Sequence, residues 1–441
     1  MEERLLAEIR ALLPQQVDLS SFGLDDRSST DLSRLWAASS SLFSSSASPF
    51  RVRCLGGSVT SGSGSASRAP PGLAPLPFPD VLHEEIRRLA PRRRTDVQAY
   101  GVSGVGSRYH AACLRPLVPP QTELVVLDVS LNDFGAYSSR ARTYAGLLHT
   151  LLYGLRVGAV LTLNWRDLPA RSTIGEDNAR LAAALARNLS SAAVLSVWRE
   201  LDEARVSLEG RRPLWAEDNR HPSWRGHQLI GKLIALLLLQ AISTAPPPRQ
   251  SGGDSSDAAL FFSPLNSTCV VGAPLAALGE GWRWVDESKD GRHRWGFVAH
   301  HTPGANLSLH AGRASQLTGI AGLRPTANVW LELCYLQSYG DWGEFLVGCH
   351  HSSPRCECQP AWPWGCSPNL SPAALKDCRR GLEFPRVQSR IDRNFSVWSS
   401  TTFILRGGPS CLADLTVRVT ALTAAKVKVT GLKIHPFDPF F

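Results

Sequence analysis

Ten cysteines divide two to eight along this 441-residue chain, and that asymmetry limits its fold more than any other feature. Cys54 and Cys113 precede residue 250, whereas Cys269, Cys334, Cys349, Cys356, Cys358, Cys366, Cys378 and Cys411 all follow it. A single core gives no reason to confine cross-linkable side chains to one half. Length argues the same way, because cores stop growing at about 250–300 residues and longer chains split into domains. At the change lies 244–257, Thr-Ala-Pro-Pro-Pro-Arg-Gln-Ser-Gly-Gly-Asp-Ser-Ser-Asp, which mixes stiff proline with flexible glycine and serine as linkers do. The chain therefore divides into a first domain over 49–243, a linker over 244–257 and a cysteine-rich domain over 258–441. Ahead of them, 1–48 reads as an N-terminal helix followed by a serine-rich tether, with low complexity over 38–48.

Short apolar runs at 51–56, 96–100, 123–129, 158–163 and 192–198 alternate with helix-like stretches at 79–89, 107–115, 140–155, 175–188 and 224–242. Strands alternating with helices predict an α/β domain whose parallel sheet is covered on both faces. After the linker the hydrophobic period becomes two, as in 327–336, 402–405, 415–420 and 426–434. That alternation predicts half-buried antiparallel strands and an all-β sandwich.

The formal charge of +9 comes from arginine, since only six of the 47 basic residues are lysine. Beyond Arg92-Arg93-Arg94 the arginines are scattered, which speaks for coding bias and some affinity for acidic partners rather than a nucleic-acid-binding stripe. Asn188, Asn266, Asn306, Asn369 and Asn394 open N-glycosylation sequons, four of them in the cysteine-rich half. Together with the cysteines they favour an oxidising secretory or extracellular setting over the cytoplasmic alternative. The segment beginning Met1-Glu-Glu-Arg reads as an amphipathic helix rather than a signal peptide, so the secretory reading expects a start upstream of it. No membrane span is expected: the best apolar stretch, Leu229–Ile242, contains Lys232 and falls short of the ~20 residues a span needs.

Four segments carry chemistry, each at the carboxyl end of a strand or in the loop before the last helix. The first strand runs into Gly56-Gly57-Ser58, where the glycines permit the tight turn that presents a serine hydroxyl. Open α/β sheets bind ligands at such strand ends. The loop Asp218-Asn-Arg-His221-Pro puts a carboxylate and an imidazole three residues apart, so Asp218 can hold Nδ1 and leave Nε2 to act as base. Its His227 reads as structural. Val125 to Asn132 is an apolar strand ending in an amide, and Tyr100-Gly-Val-Ser-Gly104-Val-Gly106 ends in a flexible turn. An amide side chain and a glycine N–H are donors suited to an oxyanion.

In this order the four segments resemble the blocks of the SGNH/GDSL hydrolase superfamily over residues of about 50–242. The resemblance implies a three-layer flavodoxin-like α/β domain with Ser58 as nucleophile, His221 as general base and Asp218 orienting it. It implies an oxyanion hole of the Ser58 and Gly104 N–H groups with the Asn132 side chain, spacing favouring Gly104 over Gly106. Two departures stand out: Gly57 replaces the aspartate of Gly-Asp-Ser, and Ser130 replaces a glycine of the third block. The implied activity is a serine esterase needing no cofactor or metal and deacetylating an acylated small molecule or O-acetylated polysaccharide. Rival readings are an O-acetyltransferase using the same Ser-His-Asp site and a non-catalytic glycan-binding surface protein.

The eight later cysteines are candidates for disulfides, although Cys349-His350-His351 with Cys356, Cys358 and Cys366 also suggests zinc. The disulfide reading is preferred because the paired C-x-x-C spacing of zinc sites is missing. Cys356 and Cys358 are too close to pair with each other. Around Trp330 to Tyr339, Cys349 and Cys356-Glu-Cys358, this half resembles the β domain appended to some SGNH-type proteins of algae and other eukaryotic microbes. Its eight tryptophans, including Trp282, Trp284, Trp342, Trp362 and Trp364, read first as core and second as a glycan-stacking platform.

Overall fold

In the computed structural model the described residues are 1–14, 33–103, 105–132, 144–165, 168, 192–197, 201, 205–243, 268–270, 276–278, 281–286, 295–299, 302–310, 329–337, 342–353, 355–360, 386–388, 397–406, 409–412 and 414–435. They form two compact units, Met1–Leu265 and Asn266–Phe441.

In the first unit β1 (Phe50–Gly56), β2 (Thr95–Gly101), β3 (Leu124–Asp128), β4 (Ala159–Asn164) and β5 (Ala192–Ser196) make one parallel sheet, ordered β2-β1-β3-β4-β5. This is the flavodoxin-like order, with its topological switch between β1 and β3. Alternate strand residues feed two cores. Val52, Cys54, Leu124, Val126, Leu161 and Leu163 face α1 (Glu2–Leu12), α2 (Ser33–Leu42), α3 (Phe78–Leu89) and the last helix of the unit. Leu55, Val125, Leu127 and Val160 face α4 (Ser107–Leu117) and residues 144–155. The unit is thus a three-layer α/β domain. The helix-like stretch at 175–188 lies outside the described residues.

The last helix of the unit, α5 (Trp224–Ser243), is almost wholly apolar from Leu229 to Leu239, where α1, α2 and α3 cover it. Its Lys232 is held within this core: Nζ donates to Glu85 Oε1 at 2.7 Å and Glu8 Oε2 at 2.5 Å. Arg4 bonds both carboxylates, tying α1 to the domain. Burial pushes the Glu85 carboxyl up, but the bonds and charges of Lys232 and Arg4 outweigh it and hold Glu85 below its usual range. One expectation is corrected here. The tether expected over 38–48 is helical as far as Leu42, because Leu35, Ala38 and Leu42 form an apolar stripe buried against α5 and the sheet.

The second unit begins with β6 (Thr268–Val270), β7 (Ala276–Leu278), β8 (Trp282–Asp286), β9 (Trp295–Ala299), β10 (Asn306–His310) and β11 (Val329–Gln337). It continues with β12 (Glu344–His350), β13 (Glu357–Pro360), β14 (Arg386–Gln388), β15 (Val397–Arg406), β16 (Thr416–Ala421) and β17 (Val427–His435). One antiparallel sheet is ordered β14-β12-β16-β10-β7, the other β13-β15-β11-β17-β9-β8 with β6 also on β17. Leu307, Phe345, Val347, Val417 and Val419 of the first sheet share a core with Leu331, Leu333, Tyr335, Phe403 and Val429 of the second. Tyr335 and Phe345 meet edge-on across it, with ring centroids 5.2 Å apart. It is a β-sandwich.

Disulfides staple this sandwich. Cys349–Cys358 joins β12 to β13, strands of opposite sheets, and Cys356–Cys411 closes 55 positions of chain. His351 lies close to Cys356 and Cys411, but those two sulfurs are bonded to each other. Cys334, one of the disulfide candidates, is corrected to a buried thiol. It faces Ser400 on β15 and Gly431 on β17 in the ladder, where no sulfur is available. Cys113, left out of that set, is disulfide-bonded. The side chain of Cys269 and residues Cys366 and Cys378 lie outside the described residues. Of the sequon asparagines only Asn306 is described; it is exposed, with its amide bonded to Gly304 O and Thr420 Oγ1.

Candidate active site

The carboxyl edge of the sheet gathers the sequence-predicted residues that are described. β1 ends at Gly56, and Gly57 N–H donates to the Asp128 carbonyl at the end of β3, 3.0 Å away. Asp128 is buried, and its Oδ2 accepts from both the Thr60 N–H and hydroxyl at 3.0 Å. On the other side His110 Nε2 donates to Gly56 O at 3.0 Å. Ser58 is therefore held in a turn anchored at both ends, and its N–H donates to no acceptor among the described residues. Sequence reasoning gave Asp128 and His110 no role. The available signal was a lone acid in an otherwise apolar strand.

The loop before α5 supplies the other two groups. Asp218 Oδ1 accepts the backbone N–H of Arg220 at 2.9 Å and of His221 at 3.0 Å, folding the loop back on itself. Asn219 takes φ of 55° at the bend, a left-handed conformation that asparagine tolerates better than other non-glycine residues. His221 Nδ1 then lies 2.5 Å from Asp218 Oδ2, and Nε2 lies 2.8 Å from Ser58 Oγ. Burial pushes the Asp218 carboxyl up, but its bond to the His221 ring, that ring's charge and the two backbone N–H groups prevail and lower it to about 2. An ionised carboxylate only accepts, so Nδ1 carries the proton and Nε2 is left to accept the Ser58 O–H. Half-exposed Asp218 lies at the rim, while Ser58 is buried.

Asn132 follows β3 and stands over Gly57, where a Cβ would lie 1.9 Å from Asn132 Nδ2. This contact explains why position 57 carries no side chain. Gly104 lies outside the described residues; the neighbouring Val105 carbonyl would be 3.1 Å from the same Cβ, so that loop also passes beside Gly57. His227 is buried with both ring nitrogens committed, Nδ1 accepting Phe78 N–H at 3.1 Å and Nε2 donating to Ser63 O at 3.0 Å. It holds the loop after Ser58.

Fold and geometry together describe a flavodoxin-like α/β unit with a hydrogen-bonded Ser-His-Asp row at its switch point, followed in the chain by a β-sandwich. No family model matches the chain, and no curated protein does. Among solved structures it is similar to a two-domain esterase (CEX) active on acetylated mannans, with TM-score 0.58 and 16% identity over 92% of this chain and 95% of that one. The same esterase co-crystallised with mannopentaose gives TM-score 0.56 at 15% identity, over 92% and 95% of the two chains. At that identity the likeness shows the fold alone: an α/β domain followed by a β domain in one chain.

Proposed function

We propose that this chain is a serine esterase of SGNH type that removes O-acetyl groups from a carbohydrate. The observation that carries the reading is the continuous row from Asp218 through His221 to Ser58, at 2.5 and 2.8 Å. His221 Nε2 takes the Ser58 proton as Oγ attacks the ester carbonyl, and the Asp218 carboxylate stabilises the imidazolium that forms. The tetrahedral oxyanion receives the Ser58 N–H and the Asn132 amide, with Gly104 as the third donor. His221 then protonates the departing sugar oxygen. Water, deprotonated by the same nitrogen, cleaves the acetyl-enzyme to release acetate and restore Ser58. The acetylated-carbohydrate substrate is supported by the mannan esterase that shares both domains of the fold. Disulfides in the sandwich support a secretory or extracellular setting.

Acetate release from acetylated mannan, measured for the parent and Ser58→Ala, tests the reading. Release by the parent and its loss in the variant are expected, with fluorophosphonate labelling lost in parallel. Undiminished release by Ser58→Ala overturns the assignment.

A further inference from the structure

The groups assigned to chemistry come from separate loops: Asn132 follows β3, while Asp218 and His221 precede α5. Side chains close a hydrogen-bonded ring between these loops. The Ser130 hydroxyl donates to Trp165 O at 2.8 Å and accepts Trp165 N–H at 3.1 Å. The Trp165 indole Nε1–H donates to Arg220 O at 3.1 Å. The Arg220 guanidinium returns through Nη2 to Leu131 O, also at 3.1 Å. The ring therefore runs from the residue two before Asn132 back to the residue just before it, by way of the residue preceding His221.

Its middle is stiff. Trp165 is fully buried and stacks on Trp215, with centroids 4.4 Å apart and planes 27° from parallel. Trp215 bridges to Pro222, and Ala216 N–H donates to His221 O at 2.8 Å, so the same stack steadies the peptide of the base. Leu168 N–H adds a bond of 2.7 Å to Asn219 O. The serine that departs from the superfamily's glycine is the hydroxyl that starts the ring.

We infer that Arg220 and Ser130 are positioning residues that hold the Asn132 amide in register with His221. The inference rests on the serine-esterase reading above. Neither residue takes or gives a proton in the reaction; each acts through where Asn132 stands. An error of about 1 Å in such a geometry costs on the order of 10²-fold in rate. Losing the brace should lower kcat and leave KM nearly unchanged, since the Arg220 guanidinium is engaged by Leu131 O.

A double-mutant cycle with p-nitrophenyl acetate tests it. Arg220→Met should lower kcat by about 10- to 100-fold in the parent, with KM within about threefold. In an Asn132→Ala background the same change should cost less than about threefold, because the group it positions is gone. Ser130→Gly should behave as Arg220→Met does, and it supplies the cycle if the arginine variant does not fold. Arg220→Lys, which keeps one donor, should recover part of the loss. Equal losses in both backgrounds overturn the inference, because they describe general damage. So does parental kcat in both Arg220→Met and Ser130→Gly. Ser58→Ala run alongside separates the two ideas: full turnover by that variant sinks the esterase reading, whereas an inactive Ser58→Ala with fully active Arg220→Met and Ser130→Gly sinks only the brace.

Discussion

Gly57 stands where the superfamily that the first half resembles carries aspartate, so Gly57→Asp would restore the Gly-Asp-Ser motif. On the esterase reading, the geometry requires that restoration to lower kcat by about 10²- to 10³-fold. A Cβ at position 57 would lie 1.9 Å from Asn132 Nδ2 and 3.1 Å from the Val105 carbonyl oxygen, where real Cβ contacts essentially never fall below 3.0 Å. The amide must retreat by roughly 1 Å, and a misplacement of that size costs on the order of 10²-fold. Outright loss of one oxyanion donor costs about 10²–10³ in kcat, or roughly 3–4 kcal/mol of transition-state stabilisation. The amide is the tip of a short side chain and can swing aside, so the fold survives while catalysis suffers. Gly57→Ala, which adds the Cβ without a charge, should lose kcat to a similar extent. Steady-state hydrolysis of p-nitrophenyl acetate gives kcat, and thermal unfolding by circular dichroism reports the fold. If both variants are folded and keep kcat within about threefold of the parent, Asn132 is not the donor that the oxyanion argument needs.

Three further outcomes follow from the same coordinates. Replacing Asn219, held at φ of 55°, by alanine should destabilise the first unit by about 1 kcal/mol, whereas glycine should be nearly neutral; thermal melting of the two variants checks the order. Glu85 is held below its usual range, so its ion pairs add stability that is complete above the ordinary carboxyl value of about 4.3 and lost as pH falls through the lower folded value. Melting temperature should therefore fall more steeply below about pH 5 in the parent than in Glu85→Gln, and matching slopes would refute the linkage. Chain entropy assigns about 4 kcal/mol to the 55-position Cys356–Cys411 loop and about 2.5 kcal/mol to the 9-position Cys349–Cys358 loop. Paired serine replacements at the first bridge should lower the melting temperature of the sandwich more than those at the second.

Local pattern sufficed for the elements and for half of the site. Runs at 51–56, 96–100, 123–129, 158–163 and 192–198 became β1 to β5 within a residue or two, most plainly β3, which is buried throughout and apolar up to its closing Asp128. The Asp218–His221 contact was legible because it closes over three residues through backbone bonds of its own loop. Composition misled at 38–48, where serines hid the stripe of Leu35, Ala38 and Leu42.

Distance in sequence marks the limit. Ser58 and His221 are 163 positions apart, so their 2.8 Å contact exists only because β1 and the loop before α5 end at one edge of the sheet. The same holds for Ser130, whose hydroxyl finds Trp165 and through it Arg220. Cysteine counting located a stapled half, yet pairing was decided by packing: Cys349 of β12 meets Cys358 of β13 in the opposite sheet, whereas Cys334 lies opposite serine and glycine in its ladder. The sequence by itself determined periodicity, domain order and the residue types available for chemistry. Tertiary structure decided which of those residues meet, because contact between distant segments depends on sheet order and packing that no local pattern encodes.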